Sequence, residues 1–262
     1  MRTGLRSLLF PPKCVSCGTL LRFEGLGTEI PSLCRDCETE WRSELLDTCG
    51  SCGQPISVCA CVPEELKRAG CVGYRKRVYY LQGKPSSVQN QILYRIKHRP
   101  AARAVAFLAE ELSAPLLEML AEAETKPNET VLVYLPRSRR SALVNGTDQA
   151  KRLMKAIAAR TGIQTCFAIR RRVNRNQIQR VLSPRQRREN AKRSYVLKKG
   201  LELSHLKGKR VVLIDDIVTT GATVAAGVRL LRGIGVKHVF ALSVAYDDVN
   251  KNVDVRQPFF RI

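Results

Sequence analysis

Val211-Val212-Leu213-Ile214-Asp215-Asp216-Ile217-Val218-Thr219-Thr220-Gly221-Ala222-Thr223 is the stretch around which the rest of the chain is arranged. It opens with four apolar residues, among them two Val and an Ile. A short, β-branched apolar run predicts a strand buried on both faces of a parallel sheet. Two carboxylates, Asp215 and Asp216, end the run, a loop of small residues follows, and a helical pattern extends from Val224 to Gly233. Open α/β sheets build ligand sites in this order, at the carboxyl ends of their strands. Gly221 lets the backbone approach a ligand closely or take a positive φ. The unpaired N–H groups and the dipole of the first helical turn favour an anion. Thr219, Thr220 and Thr223 add hydroxyl donors, so residues Thr219 to Thr223, Ala222 included, form a cradle for a phosphate monoester. Asp215 and Asp216 are themselves anionic. They suit sugar hydroxyls, or a Mg²⁺ that bridges to pyrophosphate oxygens. Phosphate on one side and a diol on the other imply a phosphorylated ribose.

Outward from that stretch, Val131 to Leu135 predicts a second buried strand, ending at Pro136-Arg137-Ser138. In a parallel sheet this loop stands beside the cradle, where a pyrophosphate would bind. Cys71 to Gln82 predicts strand. Val88 to His98 predicts a helix with Val88, Ile92, Leu93 and Ile96 at helical spacing, interrupted at Pro100. Ala101 to Glu124 predicts another, with Val105, Leu108, Leu112 and Leu116 on one stripe. Thr147 or Asp148 can cap a helix running to about Arg160. Thr165 to Arg170 and Lys237 to Ala245 predict further strands. Arg171 to Gln179 reads as an exposed, mobile loop, and Ser183-Pro184-Arg185-Gln186 as a helix start. The fold class is α/β: a parallel sheet flanked by helices over residues 71–262, preceded by a Cys-rich module over residues 1–70.

The chain has 262 residues and a net charge of +22. Residues 136–200 hold 19 basic and 2 acidic side chains, net +17, whereas residues 1–70 are net −1. That asymmetry points to a polyanionic partner, a nucleic acid or a heavily phosphorylated ligand, rather than to solubility charge spread over a surface. No apolar run approaches the roughly 20 residues of a membrane span. Leu8-Leu9-Phe10 is too short for the apolar region of a signal peptide. The expected compartment is the cytoplasm, where cysteines stay reduced.

Eight of the ten cysteines fall in four close pairs: Cys14/Cys17, Cys34/Cys37, Cys49/Cys52 and Cys59/Cys61. Gly18 and Gly53 follow two of the pairs and permit the tight turn that aims two thiolates at one metal. Two tetrahedral Cys₄ zinc sites are the economical solution. Sequential pairing gives Cys14, Cys17, Cys34, Cys37 and Cys49, Cys52, Cys59, Cys61; interleaved pairing is open as well. So polar a segment lacks a core of its own, and zinc would supply its folding energy. Cys71 and Cys166 lie outside the pattern and read as small buried residues.

Residues 211–223 resemble the phosphoribosyl-pyrophosphate (PRPP) motif of type I phosphoribosyltransferases: a strand, Asp-Asp, then Thr-Thr-Gly-Ala-Thr. Joined to a cysteine-rich front end, the whole chain resembles the ComF family of bacterial competence proteins. Leu9-Phe10-Pro11-Pro12-Lys13-Cys14 is similar to that family's opening, and Lys97 stands where the family has a Lys after an apolar helix. Gly146 and Gln149 match an Arg-Gly-x-Asn-Gln block in which Asn145 and Asp148 are departures. Gln179, Leu182, Arg187 and Asn190 match a second block, preceded by Asn176 in place of Thr. The departures bear on catalysis more than on fold or PRPP binding. The resemblance implies a cytoplasmic role in natural transformation, handling incoming single-stranded DNA beside a helicase-like partner, with PRPP and Mg²⁺ at the cradle. Arg171, Arg172, Arg175, Arg180, Arg187 and Arg188 are the candidates for tracking DNA phosphates. Two functions stand open: a PRPP- and DNA-binding competence factor, or an active transferase that moves phosphoribose to an unidentified acceptor. A zinc-dependent nucleic-acid module with a degenerate site ranks below both, because the cradle is intact.

Overall fold

The computed structural model describes residues 11–21, 30–98, 101–137, 148–172, 194–198 and 203–248. Helix α1 (Arg35–Leu45) and the short α2 (Glu64–Ala69) lie in the Cys-rich part. They are followed by β1 (Cys71–Tyr79), α3 (Val88–His98), α4 (Ala102–Glu122), β2 (Thr130–Tyr134), α5 (Gln149–Thr161), β3 (Gln164–Cys166), β4 (Ile169–Arg171), β5 (Tyr195–Leu197), β6 (Arg210–Val218), α6 (Ala222–Gly233) and β7 (His238–Tyr246). Five strands form a sheet in the order β1-β7-β6-β2-β3, and every pair in it is parallel. β6 is therefore the central strand. Val211, Val212, Leu213 and Ile214 are fully buried, as a strand covered on both faces requires.

The two faces divide the apolar residues by alternation. Leu132, Val212, Ile214, Leu242 and Val244 pack with α3, α4 and α5. Val131, Val133, Val211, Leu213, Val239 and Ala241 pack with α2, α6 and the β4–β5 ladder. The anticipated helical stripes are buried: Val88, Ile92, Leu93 and Ile96 on α3, and Val105, Leu108, Leu112 and Leu116 on α4.

Three expectations are corrected by the fold. The run that begins at Val211 does not stop at the carboxylates. Its ladder with β7 continues to Val218 opposite Tyr246, because β7 stays apolar and extended to that point. The segment 165–170 is two strands, not one. β3 closes the edge of the main sheet, and β4 turns away to pair antiparallel with β5, taking Arg171 out of the expected loop. Helix α6 starts at Ala222, two residues early, because Gly221 with φ 79° turns the chain directly out of the loop. The helix start at Ser183 falls outside the described residues.

The Cys-rich part shares the core of the rest. Val15, Leu21, Leu33 and Trp41 belong to the same buried cluster as α3 and α4. Trp41 packs edge-on to Phe107 at 5.2 Å and donates from Nε1 to Glu111 Oε2 at 3.0 Å. Ile56 packs against Tyr79 of β1. Cys71 and Cys166 are buried, as expected.

Candidate functional site

Asp215 and Asp216 sit at the carboxyl end of β6 and alternate to opposite faces. Asp215 is half-buried on the side of Tyr74 and Tyr195, whose hydroxyl pKa values are raised chiefly by burial. Its Oδ1 accepts the Asp216 N–H at 2.9 Å. Burial, with the Asp216 charge beside it, pushes the Asp215 carboxyl well above the usual carboxylate range. Asp216 is also buried, but the Arg137 guanidinium and the Gln149 amide outweigh that burial and hold it below the usual range. Arg137 donates to Asp216 Oδ2 at 2.6 Å, and Gln149 Nε2 donates to the same oxygen at 2.8 Å. Arg137 and Gln149 thus favour the charged form of Asp216.

The loop after β2 stands beside this pair, as a parallel sheet demands. It is tied down by Asp148, which the sequence marks as a helix cap and as a departure within the Arg-Gly-x-Asn-Gln block. Asp148 Oδ2 accepts the Arg137 N–H at 3.0 Å, while Oδ1 caps α5 by accepting the Lys151 N–H at 3.3 Å. Gln149 is the other residue missed as a site member. It is 1% exposed, and its Oε1 has no hydrogen-bond partner among the described residues. A buried acceptor of this kind next to two carboxylates fits a hydroxyl or a hydrated cation. Pro136 is buried beside Arg137, and Ser138 falls outside the described residues.

In the cradle, Thr219 and Thr220 are exposed, Gly221 and Ala222 are buried, and Thr223 is half-buried. Thr220 Oγ1 accepts the Ala222 N–H at 3.3 Å, and the open first turn of α6 points into the loop. Gly221 is required on two counts: its φ is 79°, and a Cβ there would lie 2.1 Å from Leu66 Cδ1 of α2. The close approach is to α2 rather than to a ligand. Against helix α3, near the carboxyl ends of β1 and β6, lies a cavity of about 650 Å³ whose lining includes Tyr80, Lys84, Tyr94, Lys97 and Ile217.

Of the candidate DNA-binding arginines, two are described. Arg171 ends β4 with its guanidinium 5.6 Å from the Tyr195 ring centre, and the Arg172 N–H donates to Ser194 O at 2.7 Å. Arg175, Arg180, Arg187 and Arg188 fall outside the described residues.

The cysteines converge in the sequential pairing. Cys14, Cys17, Cys34 and Cys37 form one cluster and Cys49, Cys52, Cys59 and Cys61 the other, each with its sulfurs within 4.8 Å of one another. Tetrahedral zinc thiolates at ~2.3 Å place sulfurs ~3.8 Å apart; Cys17 to Cys34 is 3.7 Å and Cys52 to Cys59 is 3.6 Å. The two knuckles share one backbone design, in which the Gly18 N–H donates to Cys14 O and the Gly53 N–H to Cys49 O. Lys76, 2% exposed on β1, donates from Nζ to Cys59 Sγ at 3.0 Å and to Cys61 O at 3.2 Å. A buried ammonium without a carboxylate partner among the described residues calls for thiolate charge opposite it. The donor set therefore fits a divalent, thiophilic metal.

Residues 141–262 match the family model of the phosphoribosyl transferase domain. Competence protein F of Haemophilus influenzae is 33% identical over 94 residues, which are 36% of this chain and 40% of that protein. A ribose-phosphate pyrophosphokinase of Nostoc sp. is 49% identical over 39 residues, 15% of this chain and 12% of that protein. Among solved structures, the allosteric regulatory enzyme of purine biosynthesis superposes with a TM-score of 0.33 at 17% identity, covering 62% of this chain and 38% of that one. The chain thus spans less than half the length of each of these relatives. No helix among the described residues is long and apolar enough to cross a membrane.

Proposed function

We propose that the protein binds PRPP with Mg²⁺ at the end of β6 and single-stranded DNA on its basic segment, as a cytoplasmic competence factor in DNA uptake. The observation that carries the PRPP reading is the junction of β6 and α6. There, two carboxylates stand at the carboxyl end of β6, ahead of a threonine loop that opens onto a helix N-terminus. Thr219 to Thr223 would take the 5-phosphate. Asp215 and Asp216 would take the ribose hydroxyls and hold the cation, which supplies positive charge against pyrophosphate oxygens. The loop Pro136-Arg137-Ser138 would face the pyrophosphate. The net charge of +17 over residues 136–200 supports the nucleic-acid reading. The Cys₄ clusters support zinc as a structural ion in both knuckles, within a module that we place at residues 1–70.

The cavity at Ile217 favours a second reading, an active transferase. A space of about 650 Å³ lined in part by Ile217 of β6 is large enough for an acceptor base or nucleoside. Calorimetry with PRPP and Mg²⁺ tests the first reading. Binding to the wild type should be competed by ribose 5-phosphate and weakened at least tenfold by Asp215→Ala with Asp216→Ala, in a variant that keeps its metal content. Unchanged affinity in that variant rules the site out. Pyrophosphate release, measured with DNA and with free bases, separates the binder from the transferase.

A further inference from the structure

Phe167 follows β3, the edge strand, on the rim of the sheet where β2 ends in Tyr134. The two rings meet edge-on at 5.9 Å and 75°, and Phe167 is left half-buried. Three ammonium groups converge on it. Lys151 and Lys155, one turn apart on α5, place Nζ 5.3 and 5.9 Å from the ring centre, and Lys198 at the end of β5 places its own at 5.5 Å. The Lys198 N–H donates to Ala168 O at 2.8 Å, which fixes that backbone beside the ring. Among the described residues none of the three lysines is in an ion pair.

Three cations drawn to one ring repel one another, and a ring face returns only about 0.5–1 kcal/mol per cation at an exposed site. The arrangement lacks an anion. Residues 136–200 hold only two acids, Asp148 and Glu189, and Glu189 falls outside the described residues. Asp148 is already engaged at the cap of α5 and at Arg137. The neighbouring ladder repeats the combination, with Arg171 over Tyr195. An aromatic face ringed by mobile cations suits a flexible strand whose base stacks on the ring while its flanking phosphates take the ammonium groups. A rigid duplex keeps its bases stacked and offers no free face.

We infer that Phe167, with Lys151, Lys155 and Lys198, is a base-stacking site for a single strand of DNA, on the same rim as the phosphate cradle. The inference rests on the nucleic-acid part of the reading above and adds residues that charge counting alone does not single out.

The test is fluorescence anisotropy of a labelled oligothymidylate across a salt titration, with an abasic strand of equal length and inorganic polyphosphate as competing probes. Phe167→Leu should weaken the thymidylate on the order of tenfold, leave the abasic strand unchanged and keep the salt slope, because stacking is uncharged. Phe167→Trp should restore the affinity. Replacing Lys151, Lys155 and Lys198 by Gln should flatten the slope of log affinity against log salt by about two units, at ~0.7 for each phosphate contact. Melting temperature and metal content verify that each variant is folded. If the wild type binds thymidylate and Phe167→Leu binds it equally well, the stacking site is wrong while the DNA reading stands. If the lysine variant loses thymidylate and polyphosphate alike with no dependence on the ring, the patch is a general anion surface and the inference fails. A wild type that binds no strand at low salt overturns both.

Discussion

Asp215 and Asp216 are adjacent in the chain, yet burial acts on them with different outcomes, because only Asp216 meets a guanidinium and an amide. The folded-state pKa of Asp215 lies above its unfolded value. The folded protein therefore binds that proton more tightly, and the benefit present at low pH is lost as pH rises through the raised value. At neutral pH this carboxyl works against folding. Asp215→Asn should raise the thermal midpoint there by a few degrees, an advantage that fades as pH falls below the ordinary carboxylate range. Asp216→Asn should do the reverse at neutral pH, since the depressed pKa of Asp216 marks stability that is lost only on acidification. Thermal scans of both variants from pH 3 to 8 check the pair; parallel curves would show that the two residues are equivalent. Both carboxylates and all the cradle threonines are legible in the sequence because they lie together in it. Gln149 is legible only as a match to a family block, since its contact is with a partner 67 residues away.

At the scale of elements, the junction of β6 and α6 depends on α2. Gly221 has a left-handed φ, and the space a side chain would need there is filled by Leu66. Gly221→Ala should cost about 2–4 kcal/mol, from the positive φ and from overpacking. Leu66→Ala alone should cost about 2–5 kcal/mol through the cavity it leaves. The double variant should be less destabilised than the sum, because the shorter side chain relieves the overlap. Denaturant unfolding of the three variants measures this coupling, and strict additivity would mean that the contact does not set the loop. The long helices and the apolar strands β2, β6 and β7 are legible because their periodicity is strong. The division of residues 165–170 into β3 and β4 is not. It is decided by which neighbour each three-residue strand finds, and so short a run carries no period of its own.

On the scale of the molecule, the four cysteine pairs reveal two clusters that could hold a metal ion, but not how the Cys-rich part is held. The chain's one tryptophan, Trp41, is 3% exposed and lies in the core built by α3 and α4. Its helix, α1, opens at the first cluster, where Cys34 is the N-cap residue and Cys37 lies in the first turn. With a metal in the first cluster, two forces would fix this region, metal bonds at one end of α1 and apolar packing at Trp41. Loss of the metal would remove the first without touching the second. Fresh reduced protein should contain two zinc ions per chain. Stripping them with a chelator under reductant should move Trp41 emission to longer wavelengths and open residues 1–70 to protease, with most of the sheet's circular dichroism retained, because β1, β2, β6 and β7 are buried by α3 to α6 and need no metal. Restoring zinc should return the emission. Should Trp41 stay shielded after both ions are gone, packing alone holds the region, and the metal centres serve something other than its folding.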